Sequence, residues 1–211
     1  GSFAVVGVGA GVSLLTVSAP VIASIGGNAT VDALGKVAVQ ATSDESVTSY
    51  GIAGTGALLA GAAAFSRIQN DSLQSASIKP GAVVTNAASV DVVAKHRADL
   101  LAKSGSGGLG LAVGGISAAL TVSAGRVEAF IDGATIGEAD NKVGAVNVSA
   151  TSVIENNPED GRSAHAVGVA GGALTQVGVS ATSTINPEVI GAIGAGSNVY
   201  SSGAVNVVGQ A

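Results

Sequence analysis

Along much of this chain apolar and polar residues alternate strictly. Val37-Ala38-Val39, Val146-Asn147-Val148 and Val205-Asn206-Val207 each put their apolar residues on one side of an extended backbone, and a period of two predicts β-strands. The alternating runs recur at 35–43 (GKVAVQATS), 88–96 (ASVDVVAKH), 144–152 (GAVNVSATS) and 203–211 (GAVNVVGQA). Taking the first Val of each as a marker gives Val37, Val90, Val146 and Val205, spaced by 53, 56 and 59 residues. Between the runs lie Gly/Ala/Val stretches, as in 4–31, 108–136 and 166–199, with 51–78 as the most divergent copy. Turn chemistry punctuates them at Gly26-Gly27-Asn28, Asp132-Gly133, Asn156-Asn157-Pro158 and 194–198. Short strands, corners and a fixed internal period predict an all-β solenoid, a parallel β-helix. Three coils of roughly 19 residues in each repeat would give eleven or so coils, a rod on the order of 50 Å long.

Composition agrees with a narrow interior. Ala (39), Val (31), Gly (32) and Ser (24) make up 126 of the 211 residues, and only 2% are aromatic. A solenoid core stacks Val and Ile from successive coils and leaves room only for Ala and Gly where the chain turns inward. A mean hydropathy of +0.54 with 11% charged residues excludes disorder. The four Pro and unperiodic Gly exclude collagen. The absence of Cys removes disulfides, thiolate metal sites and Cys nucleophiles. A net charge of −5, no basic run and five aromatics argue against nucleic acid as a partner. The uncharged stretches 1–31, 51–66 and 104–125 raise a membrane reading through small-residue spacing, as packed helices. Alternation and dense Gly argue against such helices, and no stable membrane insertion is expected.

The unit at 166–211 resembles the repeats of very large bacterial surface and secreted β-solenoid proteins, the filamentous-haemagglutinin-like and leukotoxin-like families. The resemblance rests on a Gly/Ala-rich segment, a segment with Ile, a GAxV turn and a final GxVxVxA strand, in four copies. The second copy departs most, with Arg67 and Gln69 and a run of two strand-like segments at 79–94. The resemblance implies an elongated passenger exported by a type V-like route, secreted or held at the bacterial surface. We read residues 1–211 as one solenoid segment of four repeats, 1–49, 50–103, 104–159 and 160–211, cut from a longer array. Its partners would be neighbouring repeats of the parent chain and a host-cell surface or glycan.

Chemistry-bearing residues are few. Asp91, Lys95, His96, Arg97 and Asp99 form the densest group, and alternation sets His96 opposite Asp91, Lys95 and Arg97, which reads as a solvated strand edge or loop. Glu155, Glu159 and Asp160, and Asp132, Glu138 and Asp140, are carboxylate groups at predicted turns. For both, a solvated corner is the stronger reading than a glycosidase pair or a Ca²⁺ site. Gly105, Gly107 and Gly110 satisfy GxGxxG, without the acidic residue that completes a ribose contact. His165 stands alone, and Asn28, Asn70 and Asn147 head glycosylation sequons. The sequence therefore predicts no catalytic, cofactor-binding or metal residues, no cofactor and no enzyme. The expected function is a stiff structural or adhesive segment that presents a binding or toxic activity. The alternatives are a membrane-active or pore-forming protein and a carbohydrate-binding β-helix.

Overall fold

The computed structural model describes residues 5–155, 161 and 163–211. The first turn holds β1 (Val6–Val17), β2 (Pro20–Ile25), β3 (Thr30–Asp32) and β4 (Lys36–Gly56). The second holds β5 (Leu59–Asn70), β6 (Leu73–Ile78), β7 (Val83–Thr85) and β8 (Ser89–Leu109). The third holds β9 (Ala112–Ser123), β10 (Arg126–Ile131), β11 (Thr135–Ile136), β12 (Ala145–Glu155) and β13 (Ala164–Gly171), and the fourth holds β14 (Leu174–Ile185), β15 (Glu188–Ile193), β16 (Asn198–Val199) and β17 (Val205–Gln210). Like strands stack in parallel, giving the sheets β1-β5-β9-β14, β2-β6-β10-β15, β3-β7-β11-β16 and β13-β8-β12-β17, with β4 on the free side of β8. This is a parallel β-helix.

One turn consumes a whole sequence repeat. Val6 pairs with Leu59, Leu59 with Ala112 and Ala112 with Leu174, so successive turns take 53, 53 and 62 residues. The four sequence markers lie directly on one another: Val37 on Val90, Val90 on Val146 and Val146 on Val205. The segments suggested at roughly 19-residue spacing are therefore sides of one turn, and they do not close as three coils of their own. The physical reason lies in β4 and β8, which run unbroken for 21 residues each and carry the chain back along the full length of the outgoing strands. Four turns rise on the order of 15–20 Å, while β4 alone has roughly 70 Å of contour, so the segment is broader than it is tall.

Each turn has two unlike ends. At one, the β2, β3 and early β4 sheets enclose columns of like residues: Ile25, Ile78, Ile131 and Ile193 in one, and Val39, Val92, Val148 and Val207 in another. These form the largest apolar cluster of the molecule. The corner into β3 repeats as well, with Asn28, Gly81, Gly133 and Gly196 all at positive φ, a conformation that Gly and Asn tolerate. At the other end the β1 sheet lies flat on the late halves of β4 and β8 and on β13, and small residues fill the space: Ala53, Ala62 and Ala64 form a cluster of their own. A Cβ on Gly51 would lie 2.7 Å from the Phe65 carbonyl carbon, and one on Gly9 would overlap the Gly54 carbonyl oxygen. Backbone meets backbone there, and we call this end the blade.

The second copy, most divergent in sequence, stacks on the first at a constant offset from β5 through β8. Arg67 and Gln69 are accommodated because they sit on the outer face, in line with Leu14 and Thr16. The two strand-like segments near 79–94 separate into β7 and β8 at Asn86, another residue at positive φ. Where they are described, the uncharged stretches that raised the helical membrane reading are strands joined by short corners. No helix of the described residues is long and apolar enough to cross a membrane.

Candidate functional site

The densest polar group lies inside the solenoid, between the Val/Ile end and the blade. Inward positions of β4, β8 and β12 stack Ser43, His96 and Ser152 in one column, and Asn70 and Ser123 stand in a column of the facing sheet. His96 is buried and its Nε2 lies 3.4 Å from Glu45 Oε2. Asn70 Nδ2 donates to the same Glu45 oxygen at 2.7 Å, and Ser43 Oγ donates to Oε1 at 3.0 Å. Burial alone would push the Glu45 carboxyl up, but hydrogen bonds from Ser72, Ser43, Asn70 and His96 outweigh it and hold the group below the ordinary carboxylate range. Gln74, also fully buried, occupies a column otherwise made of Val21, Val127 and Val189, and both its amide atoms lack a hydrogen-bond partner among the described residues. His96, Asn70, Ser123 and Ser152 are buried in this belt, while Ser43 and Glu45, in the first turn, stay partly exposed. The belt holds the Glu45 carboxylate ionised.

The predicted cluster around Asp91 is not a strand edge. It belongs to β8, an interior strand of its sheet, with β4 on one side and β12 and β13 on the other. Asp91, Lys95 and Arg97 point outward and His96 inward, as two-residue alternation requires. Asp91 bridges turns by pairing with Lys36 at 2.5 Å and accepting from Asn147 Nδ2 at 2.6 Å, and Asn206 in turn donates to Asn147 at 2.8 Å. Burial opposes ionisation of Asp91, while the hydrogen bonds and charge of Lys36 and the Asn147 amide lower its pKa. Arg97 binds Glu155 at 2.6 Å in the turn above and Asp44 at 3.6 Å in the turn below. A third ladder joins Arg126 to Glu128 at 3.0 Å and to Glu188 at 3.4 Å. On the outer surface these groups are spent across turns, so they tie the stack together.

The other sequence candidates are dispersed. Asp132 follows β10, and Glu138 and Asp140 lie beyond β11 in the same corner. Glu155 ends β12, while Glu159 and Asp160 lie outside the described residues, as does the turn at Asn156-Asn157-Pro158. Gly105 and Gly107 are outward positions of β8 and Gly110 sits in the corner after it, without the strand-to-helix turn that a dinucleotide needs. Of the sequons, Asn28 is in a turn, Asn147 is in the outer ladder, and Asn70 is buried against Glu45. Among the described residues no group of three or more His, Asp or Glu is placed to hold a metal.

One alignment escaped the sequence reading. Tyr50, Lys103 and His165 occupy one outward column in three successive turns. With Ile52, Gly105 and Val167 they line a shallow groove of about 280 Å³. Lys103 Nζ stands 6.0 Å from the centre of the Tyr50 ring, in reach of a weak cation–π contact. The repeat spacing would have found the first pair, which lie 53 residues apart; the longer third turn hides the next, at 62. The groove is open and offers a flat ring beside a cation, a surface for weak contact with a ligand that is planar on one side. The chain matches no protein-family model, no curated protein and no solved structure.

Proposed function

We propose that this chain is a non-enzymatic structural or adhesive segment of a bacterial surface or secreted protein, a scaffold of stacked turns that presents a binding or toxic activity carried elsewhere. The observation that carries the reading is the use made of its charged side chains. Lys36–Asp91, Asp44–Arg97–Glu155 and Glu128–Arg126–Glu188 run along the stack, and each of the three joins residues of different turns. The resemblance of the repeats to filamentous-haemagglutinin-like and leukotoxin-like solenoids supports a place outside the cell, with a host surface or glycan as partner.

A scaffold of this kind tolerates the loss of a turn. Deleting residues 59–111 joins position 58 to Ala112, which occupies the register of Leu59. The shortened chain is expected to keep its β-type circular dichroism and cooperative unfolding. Neither form is expected to turn over any of a panel of polysaccharides. Turnover that a single outward substitution abolishes would overturn the reading.

A further inference from the structure

The outer face of the blade carries a surface that the fold itself does not need. In the two middle turns Leu59 is 49% and Ile116 65% exposed, and Val8, Val12 and Leu174 extend the same apolar patch into the turns on either side. Arg67 is the one charged residue on this face of the β1-β5-β9-β14 sheet. Gly61, Gly114 and Gly178 open onto it, and a Cβ built on any of them would meet nothing within 4 Å. They differ in this from Gly9 and Gly51, which the packing of backbone on backbone demands. Glycine in an open strand position weakens the strand, so folding gives no reason for it. What the three create is relief: an open groove of about 600 Å³ floored by Gly61 and Gly114, with Val8 and Ile116 standing over it.

We propose that this face is a homotypic interface, on which a second copy of the chain seats its own β1-β5-β9-β14 face about a two-fold axis. A two-fold brings the same patch to both sides, so the apolar ridges of one copy meet the glycine floor of the other. The size fits. Four strands of 12 residues present on the order of 700 Å² per copy, about 1,500 Å² for the pair, the range of stable specific interfaces. Charge selects this occupant over a bilayer: the face has no basic rim, and the chain carries a net charge of −5, which an anionic lipid surface repels. This inference goes beyond the scaffold reading and does not depend on it.

The test is sedimentation equilibrium of the full chain over a wide concentration series, with flotation on phosphatidylcholine vesicles run beside it. The mass is expected to climb from 19.9 kDa to twice that value. Gly114→Lys and Ile116→Asp are each expected to weaken the dimer at least ~10-fold, with circular dichroism and thermal midpoint confirming the fold. Gly61→Lys, in the same column one turn below, serves if Gly114→Lys does not fold. Gly105→Lys, outward on the opposite side of the blade, is expected to leave the dimer intact. A 19.9 kDa species at every concentration would overturn the proposal. So would dissociation by Gly105→Lys alone, or a monomer that floats with vesicles and loses flotation on Gly114→Lys.

Discussion

The two ends of a turn are built from the same backbone ladder and packed with different materials. Around β2, β3 and early β4, a fully buried Ile78 or Ile131 stacks on its equivalent in the next turn, and each such side chain contributes about 2–3 kcal/mol of apolar burial. In the blade the inward residues are mostly Gly, Ala and Ser, with Val113 the exception buried among them, and they bury little area. Cohesion there comes from the hydrogen-bonded ladder, from close backbone contact and from bonds such as Ser66 Oγ to the Ser49 carbonyl at 2.9 Å. The broad end therefore suffers when volume is removed, and the blade when volume is added. The polar belt around His96 and Glu45 marks the change from one material to the other.

Adding volume to the blade should break this comparison most severely. Gly51→Val puts side-chain carbon against the Phe65 backbone and is expected to cost more than about 3 kcal/mol in urea unfolding. Gly61→Val, outward and unobstructed, should stay within about 1 kcal/mol of the parent. Equal effects would mean that the two layers of the blade are not in backbone contact. Removing volume from the broad end comes next: Ile131→Ala should cost about 2–5 kcal/mol, and Ala62→Gly in the blade about 1 kcal/mol, both read from the same denaturation curves.

The belt gives a pH dependence with a definite sign. Because Glu45 titrates below its ordinary value of 4.5 when folded, its stabilising contribution is fully present above that value. It is lost as pH falls through the lowered folded one. Thermal midpoints should decline in that acid window, and Glu45→Gln should flatten this part of the decline while costing about 1–3 kcal/mol at neutral pH. The smallest effect is a gain. Gln74→Val replaces a buried amide without partners by the residue found at that level in the neighbouring turns, and about 1 kcal/mol of stabilisation is expected in calorimetry. A loss of stability would show that the Gln74 amide is satisfied in solution.

Much of this was legible before any coordinates. The spacing of Val37, Val90, Val146 and Val205 is the pairing register itself, and the turn residues at Gly26-Gly27-Asn28, Asp132-Gly133 and 194–198 fall at corners. Turn length was not legible. A repeat distance states how far apart equivalent residues lie, and leaves open how many times the chain closes between them. Nor did the cluster at Asp91 to Asp99 declare itself as the middle of a sheet. Alternation separates His96 from its neighbours but is blind to which side a second layer will cover. Gln74 and Glu45 read as surface residues in isolation, and the column of Tyr50, Lys103 and His165 was obscured by the lengthened third turn.

The sequence alone determined that this chain is an all-β parallel solenoid whose like residues stack, because a two-residue period and a repeat of more than fifty residues admit little else. Tertiary structure decided the size of the turn, the inward face of each strand and the placing of an ionised, half-buried carboxylate against the buried His96. Those outcomes depend on which strands face one another across the turn. That pairing is set by long-range packing, in which Gly9 and Gly51 admit a second backbone and Ile and Val columns hold the other end apart, and no local pattern encodes it.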